Sequence, residues 1–216
     1  MIGKPRIYIH CGLFGDKYKP IMDEFVEFID NSNMSTDVDV IVCTVGSDEC
    51  TEKWYNKENN HPDITKGEFH TLGMLKKWAD STTTRIPVGY VQTKGVFNGF
   101  DNPCIIDWRR YMAYFTLEKM KDCIDAMNSG YDAAGVDWKE EPNKHFSGTF
   151  WWSNTDYIKS LPQIDPPNFF INGCPSYRHL AEFWIGYNNP KVKCFHQSNI
   201  NIYERHLHRY LPEKYR

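Results

Sequence analysis

The chain has 216 residues, 41% of them hydrophobic, with 25 basic and 28 acidic side chains giving a net charge of -3. That is enough chain for one sizeable core, the charge balance leaves no electrostatic footprint for a nucleic-acid partner, and no run approaches the roughly 18 uncharged apolar residues of a membrane span. The opening M-I-G-K-P-R lacks the apolar core of a signal peptide, so one soluble, cytoplasmic domain is expected.

Residues 6–13, R-I-Y-I-H-C-G-L, form a short apolar run closed by glycine, and Pro20 opens a segment with Ile21, Phe25, Phe28 and Ile29 at helical spacing. Residues 37–45, D-V-D-V-I-V-C-T-V, have the continuous β-branched character of a strand covered on both faces, and Gly46 ends it. The polar stretch 47–66 reads as an exposed loop, 69–79 as a helix and 86–91 as a third strand. This β-α-β-α-β order predicts a parallel sheet with right-handed crossovers. Such sheets bind ligands beyond the carboxyl ends of their strands, so the loops at 10–15, 44–48 and 92–98 should converge on one rim.

Further along, residues 105–127 set Trp108, Met112, Phe115, Met120, Cys123, Ile124 and Met127 near one face of a long amphipathic helix, with Asp107 in its first turn. Asn128, Ser129 and Gly130 stop it. Residues 131–138 and 145–154 read as strands, and 155–162 as a short helix ended by Pro162. Pro166, Pro167 and Pro175 mark a loop before a helix over 178–186, stopped by Gly186. The tail, 199–216, is rich in Tyr, His and Arg. Seven cysteines, odd in number and free of C-x-x-C pairs, argue against a disulfide framework and against a zinc cluster. Seven Trp within 15% aromatic content exceed what a core usually needs, and sugar rings are commonly bound by stacking on such side chains.

Four segments in order, V-G-Y-V-Q-T-K-G-V, D-W-R-R-Y-M, H-F-S-G-T-F-W-W-S-N-T-D-Y-I-K-S-L-P and A-E-F-W-I-G, resemble a family of small bacterial and large-virus glycosyltransferases of the GT-A fold. That family includes the N-terminal glycosyltransferase domain of a multidomain chlorella-virus protein. The resemblance covers roughly residues 5 to 187, and F-S-G-T-F-W-W is its most specific part. It implies an α/β domain with a mixed, Rossmann-like central sheet flanked by helices, over residues 1–216 or excised from a longer chain. It also implies a UDP-sugar donor of the UDP-glucose or UDP-rhamnose type, a glycan acceptor, and Mn2+ or Mg2+ held largely by the donor diphosphate. The site would then lie in the cytoplasm, of the host cell if the source is viral.

Transfer from a nucleotide sugar breaks the bond between the anomeric carbon and a phosphate oxygen, so charge builds on the departing diphosphate while an oxocarbenium-like sugar forms. The diphosphate needs a cation. Most GT-A enzymes hold a metal there through D-x-D at a strand end, whereas this chain has Gln92, Thr93 and Lys94. Lys94 either supplies the positive charge itself, with Thr93 and the backbone around Gly95 donating hydrogen bonds, or is a surface lysine at a turn. His10 and Gly12 stand where the first strand meets the rim, and Thr44 and Ser47 end the second as candidate uridine contacts or turn residues. Asp80 belongs at the far end of the sheet. Asp107, Arg109 and Arg110 lie nearer the rim, Arg109 as a clamp on phosphate or sugar hydroxyls or as part of a solvated face.

Ser147 and Gly148 are expected beneath the donor sugar. Trp151 and Trp152 alternate in direction, and Trp152 is expected to face the sugar. Glu182 and Asp156 are the candidate carboxylates on the reacting side, as base or as stabiliser of positive charge on the ring. A late histidine, His196, resembles the one that completes the metal shell of retaining GT-A enzymes. Two functions remain open on the sequence: a retaining transferase of a hexose or deoxyhexose in viral or bacterial glycan synthesis, and a nucleotide-binding module without turnover.

Overall fold

The first strand, β1 (Arg6–Gly12), lies between parallel partners β2 (Asp39–Val45) and β4 (Pro87–Gln92). Its alternation sorts the core: Ile7, Ile9 and Cys11 enter one apolar layer and Tyr8 the other, as period-2 side chains must in a sheet covered on both faces. The computed structural model describes residues 3–46, 50, 54–174 and 176–216, with only the backbone of 56–59, 202 and 203. The expected α/β architecture is present. Seven strands form the sheet β3-β2-β1-β4-β8-β5-β9, with β3 (Asn56–His61), β5 (Ala133–Gly135), β8 (Trp151–Asn154) and β9 (Val192–Cys194) completing it. Strand β8 alone runs antiparallel to its neighbours, β4 and β5, which makes the sheet mixed. One face is covered by α1 (Tyr18–Asn31), α3 (Pro103–Ala113) and α4 (Met120–Asn128), the other by α2 (Gly67–Ser81), α5 (Thr155–Ser160) and α6 (His179–Phe183). No helix among the described residues is long and apolar enough to cross a membrane.

Four sequence expectations change. The polar stretch read as a loop contains β3, parallel to β2; its sequence N-K-E-N-N-H holds none of the β-branched or aromatic types that mark a strand. The long helix is broken by a π turn over Tyr114–Glu118. That turn leaves the Thr116 carbonyl free to accept from the Trp152 indole at 2.7 Å, the kind of local insertion π turns provide. The helix also starts at Pro103, two residues earlier than expected, so Asp107 sits in the second turn of α3, paired with Arg209. The end of the expected strand 131–138 and the start of the expected strand 145–154 instead form a separate hairpin, β6 (Trp138–Lys139) with β7 (His145–Phe146).

Trp152 does not face a ligand. It is fully buried in one layer while Trp151 is buried in the other, stacked on Tyr90 with ring centroids 5.3 Å apart. A side chain at Gly89 would come within 2.8 Å of the Trp152 ring, so glycine there makes room for it. Asp156 is corrected by topology: β8 carries the chain from the rim at Gly148 to the opposite one, where Asn154 pairs with Pro87 at the start of β4. Asp156 follows at that far rim, exposed and 3.8 Å from Lys159.

Candidate active site

Strand β4 runs out at Gln92, and the next three residues are fixed from two sides. The Thr93 amide donates to the His10 carbonyl at 2.9 Å, and its hydroxyl accepts from the Gly12 amide at 3.1 Å. These bonds tie the ends of β1 and β4 together at the C-terminal rim. Gly95 takes φ 91°, and a side chain there would press to 2.9 Å from Ile105, so glycine is needed for both backbone and packing. From behind, Arg109 donates to the Lys94 carbonyl at 3.1 Å and pairs with Glu24 at 3.0 Å. With its backbone held, the half-buried Lys94 lays its ammonium 4.1 Å from the centre of the Trp108 ring, a cation–π contact.

Three more charged side chains face Lys94 around a cavity of about 200 Å³: Glu68 from the start of α2, Arg178 just before α6 and Glu182 within it. Glu68 accepts from the Tyr90 hydroxyl at 2.9 Å. Glu182 accepts from the Gly148 amide at 3.4 Å and lies 4.0 Å from His145. None of the four closes an ion pair with another within 4.0 Å. Burial depresses the Lys94 pKa against the pull of Glu182 and Glu68. Burial lifts Glu68 to about 7, opposed by the Tyr90 hydrogen bond and helped by Glu182.

A second cavity, about 310 Å³, adjoins the first and shares Glu68, Gln92, Thr93, Val96, Phe97 and Arg178 with it. His10 and Gly12 form its inner wall and the exposed rings of Phe97 and Tyr177 flank it. His10 is buried, its Nδ1 3.0 Å from the Thr71 hydroxyl, and burial followed by His70 lowers its pKa to about 4. It is neutral near neutral pH. Residues 15–178 match the sequence model of a domain of unknown function, DUF8361.

The chain belongs to the DUF8361 family. No curated protein matches its sequence. Eight chains of solved structures match; one, from Desulfovibrio desulfuricans G20, is described as a "putative nucleotide-diphospho-sugar transferase" and aligns with a TM-score of 0.46 and 11% identity over 91% of this chain and 81% of that one.

In this DUF8361 chain the expected site residues divide into two groups. His10, Gly12, Thr93, Lys94, Gly95 and Glu182 come together on the walls of the two adjoining cavities. The rest stand elsewhere. Thr44 is fully buried and its hydroxyl has no hydrogen-bond partner among the described residues; Ser147 is the same. Gly148 takes φ 96°, and a side chain there would run into Met112 and Trp108, so it brings the turn between β7 and β8 close to α3 while Thr149 reaches the cavity wall. Arg109 is buried and engaged by Glu24 and the loop, which makes it a brace for Lys94 in place of the expected clamp. Asp80 pairs with Lys76 at 2.6 Å near the far end of α2. Ser47 lies outside the described residues. Two wall residues, Glu68 and Arg178, were not singled out by the sequence; an acid at the start of a helix facing the rim was the available signal for Glu68.

The residues do not fit a protein-held Mn2+ or Mg2+. His196 meets the Tyr111 hydroxyl through Nδ1 at 2.9 Å and stacks on Phe115, and among the described residues no three His, Cys, Asp or Glu side chains gather to hold a metal ion. At the rim position expected for D-x-D the charged side chain is Lys94, and an ammonium there repels a divalent cation.

Proposed function

We propose that the chain is a glycosyltransferase that binds a nucleotide-diphosphate sugar in this cleft, with UDP as the nucleotide, and passes a hexose or deoxyhexose to a glycan acceptor with retention. The observation that carries the reading is the set of two cations and two carboxylates held apart around one cavity at the C-terminal rim of the sheet, where α/β proteins bind ligands. Charged groups that could neutralise one another but do not are preorganised for a ligand carrying both charge and hydroxyls.

In this reading the nucleoside occupies the larger cavity beside His10 and Gly12, and the diphosphate lies against Thr93, Lys94 and Arg178. As the glycosidic bond breaks, negative charge grows on the departing phosphate and the Lys94 ammonium, aimed by Trp108 and Arg109, balances it. Glu182, oriented by the Gly148 amide, balances the positive charge on the sugar ring, and the departing phosphate accepts the acceptor's proton. The charge on the diphosphate is met by side chains, so the reading does not route the reaction through a metal.

UDP should raise the melting temperature, with or without chelator, while CMP and GDP do little, because a ligand bound only by the folded state stabilises it. Equal shifts for all three nucleotides would remove the UDP assignment, and no shift for any of them would remove the nucleotide-sugar reading.

A further inference from the structure

We infer that Glu68, braced by Tyr90, is a specificity-determining residue that accepts a hydrogen bond from a hydroxyl of the donor sugar. The inference rests on the nucleotide-sugar reading and goes beyond it by giving one carboxylate a recognition role. A diphosphate alone would favour a purely basic pocket, yet Lys94 and Arg178 share their cavity with Glu68 and Glu182. A carboxylate beside a diphosphate is repelled by it, so its presence fits a ligand whose uncharged part offers hydroxyl donors. Glu182 is already turned toward the Gly148 amide and His145. On Glu68 one oxygen, Oε2, accepts from Tyr90, which fixes the group and leaves Oε1 for a ligand. Glu68 also lines both cavities, which puts it where the nucleotide ends and the sugar begins. Tyr90 is buried under α2 and pinned against Trp151, so the brace is rigid, as recognition of a single hydroxyl requires.

The competing role is electrostatic: Glu68 could act only through its effect on Lys94. Calorimetric affinities of wild type and Glu68→Gln for UDP, UDP-glucose and UDP-rhamnose, taken above about pH 8 where Glu68 is ionised, separate the two. Gln keeps an acceptor for Tyr90, so the fold is preserved while the anionic acceptor is lost. The expected result is a loss on the order of 10-fold in affinity for the preferred UDP-sugar, as for removal of one charged hydrogen-bond partner, with UDP affinity unchanged or higher. Tyr90→Phe should reproduce part of that loss with the same selectivity. A Glu68→Gln variant that shifts UDP and UDP-sugar equally, or shifts neither, overturns the inference while wild-type UDP-sugar binding leaves the nucleotide-sugar reading standing. Absence of binding by the wild type to all three probes overturns both.

Discussion

Two sets of charged side chains, both reaching the Trp108 ring, are built in opposite ways. In the paired set, Arg205 meets Asp137 at 2.6 Å, both almost fully buried, Arg109 meets Glu24 at 3.0 Å, and Arg209 pairs with Asp107. In the open set, Lys94, Arg178, Glu68 and Glu182 stay apart around the cavity. A buried pair is costly to break because the survivor is left uncompensated, whereas charges held apart contribute little to the fold and remain available to a ligand. The difference separates residues that hold the chain together from residues that act, although both sets contain the same chemical groups.

The comparison breaks most readily at Asp137. It takes φ 53°, a left-handed conformation that Asn tolerates, so Asp137→Asn removes the charge without straining the backbone. It should lower stability by about 3–5 kcal/mol in urea unfolding, the range for breaking a buried ion pair. A loss below about 1 kcal/mol would mean that Arg205 escapes to water and that the paired set is not structural.

Acidity probes the cleft from two directions. His10 has a folded pKa of about 4, below its ordinary value, so the unfolded chain takes up the proton first and His10 withdraws stability as pH falls from about 6.5 to 4. Glu68 has a folded pKa of about 7, above its ordinary value, so the stability it contributes at low pH is lost as pH rises from about 4.5 to 7. The two slopes oppose each other, each by at most about 1.4 kcal/mol per pH unit. Urea unfolding at pH 5 and pH 6.5 should therefore show a steeper loss on acidification in Glu68→Gln than in wild type, and a shallower one in His10→Asn. Variants that both keep the wild-type slope would show that neither group is desolvated by the cleft.

The smallest stability effect is expected at Lys94. Lys94→Ala gives up one cation–π contact at a partly exposed site, about 0.5–1 kcal/mol, and Asp80→Ala, a helix-end pair away from the cleft, about as little. A large loss of stability in Lys94→Ala would move it into the structural set.

The sheet was legible where side chains decide it. The β-branched run before Gly46 and the alternation of Ile7, Tyr8 and Ile9 mark strands covered on both faces. Strand β3 was not legible, because N-K-E-N-N-H holds none of the β-branched or aromatic residues that mark a strand. In the site, the turn at Thr93, Lys94 and Gly95 could be read because the strand, its end and the glycine are contiguous in sequence. Glu68 and Arg178 are brought to Lys94 only by the crossing of α2 and the approach to α6, and no local pattern encodes that meeting. The paired tryptophans have a role other than the expected one: they fill the two core layers on either side of β8.

The central claim is that the charges held apart around the cleft act on a nucleotide sugar. Proton NMR of UDP-glucose and UDP-rhamnose incubated with wild type and with Lys94→Ala, without acceptor, tests it most directly. The account predicts slow release of UDP and free sugar from one donor by the wild type, with the donor's anomeric configuration in the earliest product, and a rate lower by a factor on the order of 100 in Lys94→Ala, as when one preorganised charge donor is lost. A wild-type protein that binds UDP yet releases none, or a Lys94→Ala variant that hydrolyses donor at the wild-type rate, would contradict it.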